Sequence, residues 1–171
     1  IDVLEPNANS KLYLYMIYTR KGNSAKAKTY LEEYLVLETD GIKKAKILNK
    51  EGDKAFKKGQ KAKARTYYLE AIKANPNSGR AYLNLAKLYG SSANACGTDE
   101  FTKKAIYWKA AEMARKAATV DASVKREATE WMERYMTLAP DKTAIFNKGF
   151  KGGEKIKMKC WVGGNVIVPK L

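Results

Sequence analysis

Apolar residues recur at steps of three and four along most of this chain. Leu12, Tyr15, Met16 and Tyr18 mark one face of a helix before Gly22, and Ala27, Tyr30, Leu31, Tyr34 and Leu35 mark another after it. That spacing places side chains on one side of a 3.6-residue turn. A glycine between two such stretches takes the left-handed conformation that ends a helix, so the pattern predicts helix, tight turn at Lys21-Gly22-Asn23, helix. The unit then recurs: RKGNSAKAKTYLEEYL at residues 20–35 and KKGQKAKARTYYLEAI at 57–72 place Gly22 and Gly59 37 residues apart. Self-similarity at such a period signals stacked helical units, each too small to bury its apolar face alone. Ala27 and Ala64 are small enough to let antiparallel helices approach closely.

Tyr82, Leu85, Ala86 and Tyr89 continue the helical face. The stretch GSSANACGTDEF that follows is small and polar and reads as a loop inserted between two helices, with Thr98 or Thr102 as the cap of the second. Val124, Ala128, Trp131, Met132, Tyr135 and Leu138 form the stripe of a last helix, 123–138. A lone helix there covers the open end of a stack. Beyond Ala139-Pro140 the texture changes. Ile145, Phe146 and Phe150 anchor either a short helical turn ended by Gly149 or a loop packed on the last helix. KIKMKCWV then alternates, with Ile156, Met158, Cys160 and Val162 on one side and Lys155, Lys157, Lys159 and Trp161 on the other. That is a half-buried strand, with turn chemistry at Gly163–Asn165 and a partner strand at 166–168. Trp161 is expected to be exposed and Trp131 to be core.

These residues resemble the tetratricopeptide repeat family. Residues 45–78 carry Leu48, Gly52, Gly59, Ala64, Tyr68, Ala71 and Pro76 at the family's positions, with the NPNS turn at 75–78. Ala110, Ala117 and the VDAS turn at 120–123 match the second helix of the next unit, and Leu14, Tyr18, Gly22, Ala27 and Leu31 match an earlier one. The resemblance implies an all-α, right-handed α-solenoid over residues 1–139. Its helix pairs fall at about 8–41, 45–78 and 79–122, with a capping helix at 123–138 and a β-hairpin tail at 140–171. It also implies a concave, partner-binding groove lined by the first helix of each pair. Carried over residue by residue, the lining is Asn9, Leu12, Met16 and Arg20, then Lys46, Asn49, Asp53 and Lys57, then Arg80, Asn84 and Lys87. Asn84 matches an asparagine with which family members hold a peptide backbone. Asn49 and Asp53 stand where one subtype has the lysine and asparagine that clamp a C-terminal carboxylate, which argues against chaperone-tail binding of that kind. A mixed Arg, Lys and Asn groove suits an extended acidic peptide. SANACGTDEF, the Lys-Ala-Ile-Tyr-Trp stretch, APDKTAIF and KCWVGG further resemble the exported tetratricopeptide-repeat proteins of Bacteroidetes-type bacteria. This implies a periplasmic or outer-membrane-associated place and a non-catalytic assembly role that needs no cofactor.

Charge widens the field. The 33 Lys and Arg against 18 Asp and Glu give +15 over 171 residues, which draws nucleic acid, acidic proteins and anionic surfaces from a distance. Yet Lys26, Lys28, Lys43, Lys44, Lys61 and Lys63 are scattered as solvating residues would be. There is no histidine, which removes the commonest base near neutral pH and most zinc sites. Glu127, Glu130 and Glu133 read as a solvated face, and KGFKGGEK at 148–155 lacks the spacing of a phosphate loop. Cys96 and Cys160 are the only cysteines. A disulfide between them would pin the tail to the third unit and imply an oxidising compartment; two reduced, packed thiols, in a cytoplasmic protein, is the other reading. No apolar run reaches the roughly 20 residues of a membrane span, and a start at Ile1 suggests a processed or trimmed product. The expected function is protein–protein binding or scaffolding, within a larger complex. The rivals are binding of nucleic acid or another anionic polymer, and a structural subunit docking through its hairpin edge.

Overall fold

The computed structural model describes residues 7–170. Among these residues the fold is all-α apart from one two-stranded sheet, and the chain divides into two compact units, residues 1–44 and 45–171. In the first, α1 (Ala8–Arg20) and α2 (Ser24–Leu37) form an antiparallel pair. Asn7 and Asn23 cap them, each side chain accepting the N–H of the residue three further on. Gly22 sits at φ +72°, as the turn requires. Tyr18 and Tyr30 stack at 5.4 Å, and Tyr15, Ala27, Leu31 and Tyr34 are buried.

The second unit takes most of α3 (Gly41–Lys57), then α4 (Lys61–Ala74), α5 (Gly79–Gly90), α6 (Glu100–Val120), α7 (Lys125–Leu138) and the short α8 (Lys142–Asn147). Gly59 repeats the +72° φ of Gly22 between α3 and α4. The core runs from Leu85, Leu88 and Tyr89 of α5 through Ile106, Ala110 and Ala114 of α6 to Tyr135 of α7. Burial of each Leu or Ile here contributes on the order of 1.5–3 kcal/mol. Alanines at 105, 110, 111, 114 and 117 keep α6 thin enough to touch α5 on one side and α7 on the other.

Several local expectations change. The cap of α6 is Asp99, not either threonine: its carboxylate accepts the Thr102 N–H at 3.0 Å while Thr102 Oγ1 accepts the Asp99 N–H at 3.2 Å. This reciprocal arrangement satisfies two orphan donors. The inserted segment before it contains a 3-10 turn at Ala93–Ala95 and buries Cys96. In the tail, β1 covers only Lys155–Lys157 and pairs antiparallel with β2, Asn165–Ile167, with Ile156 opposite Val166. Met158 and Val162 lie in the connecting segment and still reach the core, so the alternation marked burial rather than ladder. Trp161 is half-buried instead of exposed, its ring 6.4 Å from that of Tyr89. Trp131 is half-buried and lies 5.4 Å from the Tyr135 ring, at the edge of the core.

Candidate partner-binding face

Asp53 projects from α3 into a polar cluster. Tyr68 of α4 donates its hydroxyl to the Asp53 carboxylate at 2.7 Å, and Asn84 of α5 donates to the same oxygen at 3.0 Å. Burial foremost, and then the bond to Asp53, push the Tyr68 phenol well above its ordinary 10.0. It therefore stays a donor at any ordinary pH.

One turn either side of Asn84, Arg80 and Lys87 both reach α7. Arg80 Nη1 lies 2.9 Å and Lys87 Nζ 2.7 Å from the two carboxylate oxygens of Glu127. The Lys87 bond, with Arg80 adding to it, holds the Glu127 carboxyl below its ordinary value against a smaller opposing effect of burial. Lys87 also stands 5.2 Å over the Trp131 ring. Side chains thus tie α3 to α5 and α5 to α7 along one face.

The sequence-derived lining falls into distinct groups on this structure. Asp53, Asn84, Arg80 and Lys87 come together in the two clusters just described. Lys46 and Lys57 are exposed on α3. Asn49 is buried: its Nδ2 donates to Ser78 at the head of α5 at 3.4 Å, and its Oδ1 has no partner among the described residues. It packs between elements and is not presented to a partner. Asn9, Met16 and Arg20 are exposed on α1 and Leu12 is half-buried there, all within the first unit. Glu127 was expected on a solvated face and instead closes the α5–α7 link. Its clue was local: Glu127 lies one turn before Trp131 and so shares its face. Tyr68 was legible as core, but its hydroxyl's role was not.

Cys96 and Cys160 are placed as a disulfide pair with Cα atoms 5.0 Å apart, joining the inserted segment to the hairpin connection. Among the described residues no helix is long and apolar enough to cross a membrane.

Comparison with known proteins gives the same architecture. Residues 45–78 match the tetratricopeptide repeat family. The Photosystem I assembly protein Ycf3 of Rippkaea orientalis is 32% identical over an alignment of 136 positions that covers 74% of this chain and 78% of that protein. Among solved structures, the TPR2B domain of yeast Sti1 in its pHsp70 complex superposes with a TM-score of 0.53 at 19% identity, over 76% of this chain and 96% of that one. At that identity the likeness is one of fold alone. With the repeat at 45–78, helix pairs turning on matched glycines and a relative aligned over most of both lengths, the chain belongs to the tetratricopeptide-repeat family.

Proposed function

We propose that this chain is a non-catalytic protein-binding module that holds an extended, acidic segment of a partner against the face formed by α3, α5 and α7. The observation that carries the reading is the lateral network on that face. Asp53, Asn84, Arg80, Lys87 and Glu127 tie α3 to α5 and α5 to α7, so the exposed groups of these alternate helices are presented without reorganisation. Lys46, Lys57 and the outer part of Arg80, whose side chain is 52% exposed, supply positive charge there. Arg80 and Lys87 already share one carboxylate, so a second carboxylate on the partner would complete two charge-assisted pairs instead of creating them from bare cations. The relative named for photosystem assembly supports the broader reading of an assembly or scaffold factor.

The test is a selection of random displayed peptides on the wild-type chain and on a Lys57→Glu/Arg80→Glu variant. Enrichment of acidic peptides on the first and its loss on the second is the expected result. Enrichment that persists on the variant, or none on either, would remove this face from the function.

The envelope placement belongs to the same reading and is supported by the juxtaposed Cys96 and Cys160. Protection of both thiols from alkylation in protein isolated without reductant tests it.

A further inference from the structure

A trough of about 520 Å³ opens between α6, α7 and β2, away from the face described above. Met132 and Met136 line it from α7; at 100° per residue they lie on the side of that helix turned away from Glu127. Trp108 forms part of its floor and is 6% exposed, while Met136 and Ile167 at its rim are 49% and 58% exposed. Its size is that of a ligand site. Its openness suits a peptide better than an enclosed small molecule, and methionines adapt to varied apolar side chains.

The charges along the α6 side are unequal. Glu112 is taken by Lys116 at 3.2 Å. Arg115 is exposed and in no ion pair among the described residues. Lys109 Nζ donates to the Asn165 carbonyl at 3.1 Å and stands 5.8 Å from the Tyr89 ring, with no carboxylate in ion-pair range among the described residues. Burial holds Lys109 below its ordinary value, and nearby Arg65 and Lys116 add to this while Glu112 opposes it. An incoming carboxylate would relieve that disfavoured charge, and apolar neighbours would cover Met136 and Ile167.

We propose that this trough is a second docking site, taking a short apolar segment of a protein partner that carries a carboxylate side chain for Lys109 and Arg115. The proposal rests on the reading of the chain as a protein-binding module, but on a different surface. Binding there runs through side chains and not strand addition. Lys109 occupies the Asn165 carbonyl on the β2 edge, and Pro169 has no N–H to offer.

The probe is a fluorescein-labelled peptide of alternating leucine pairs and glutamates, with versions carrying lysine for glutamate or serine for leucine. It is titrated into the full chain by fluorescence anisotropy, and amide shifts are mapped by NMR. We expect saturable binding of the first peptide alone and shifts clustered at Arg115, Met132, Met136 and Ile167. Affinity should fall by about tenfold or more in Arg115→Glu/Met136→Glu. Both side chains are at the surface, and an unchanged circular dichroism melt confirms the fold; the shift map needs no variant. Absence of saturable binding, or equal binding of the lysine peptide, overturns the trough. So does loss of binding in Lys57→Glu/Arg80→Glu with the trough shifts absent, an outcome that leaves the α3, α5, α7 reading standing. Binding at the trough that ignores that groove variant supports the trough whether or not the groove reading survives.

Discussion

Tyr68 donates its hydroxyl to Asp53 at 2.7 Å, so the second helix of the matched repeat is locked to the first by a bond that also positions Asn84. Removing the hydroxyl leaves the carboxylate with one donor fewer in a half-buried place. Tyr68→Phe is expected to cost about 1–2 kcal/mol, read as a lower midpoint in urea at unchanged slope. It should also loosen Asn84, visible as faster hydrogen exchange at the centre of α5.

The same bond decides what Gly52 tolerates. A Cβ at Gly52 would press on the Tyr68 ring, which cannot swing aside without giving up Asp53. Alanine improves helix propensity by about 1 kcal/mol, whereas overpacking costs about 1–3 kcal/mol. We expect Gly52→Ala to be net destabilising. The double variant Gly52→Ala/Tyr68→Phe should lose less than the sum of the two singles, because the freed ring can move.

Cys96 and Cys160 are 64 residues apart in sequence. In the chain-entropy account a cross-link closing such a loop stabilises by about 4 kcal/mol. Cys160→Ser, or reductant on the wild type, should lower stability by a similar amount, read as a thermal midpoint about 8–16 °C lower. A melt insensitive to reductant would show that the pair is not bonded in the protein as isolated.

How far the sequence carried this picture depended on the range of the interaction. Helices and their glycine turns are written locally, in three- and four-residue steps and in Gly22 and Gly59, and the structure places them there. The alternation at 155–162 overstates the strand because burial alternates there whether or not a ladder forms; Met158 is buried from the segment that follows β1. Asp99 is the exception to that rule: it stands only three residues before Thr102, and because the two side chains cap each other's backbone N–H, a threonine in the pair reads as the cap as readily as the aspartate. Glu127 was misplaced because its partners lie 40 and 47 residues away on another helix. No periodicity reports a cross-helix ion pair, and the polar face therefore had to be seen folded.

Glu127 gives a pH signature to that face. Its carboxyl is held below the ordinary 4.5 by Lys87 first and Arg80 second. A group whose folded value is depressed contributes stability that is fully present above 4.5 and is lost as the pH falls through the lowered folded value. Its side chain is 37% exposed, so solvent screening keeps the contribution to roughly 0.2–1 kcal/mol. Glu127→Gln should therefore melt slightly below the wild type near neutral pH, and the gap should close in acid. Salt should narrow the gap as well, since partly exposed pairs are screened. A gap that stays constant from neutral to acid pH would mean that Glu127 acts through packing against Trp131 and not through its charge.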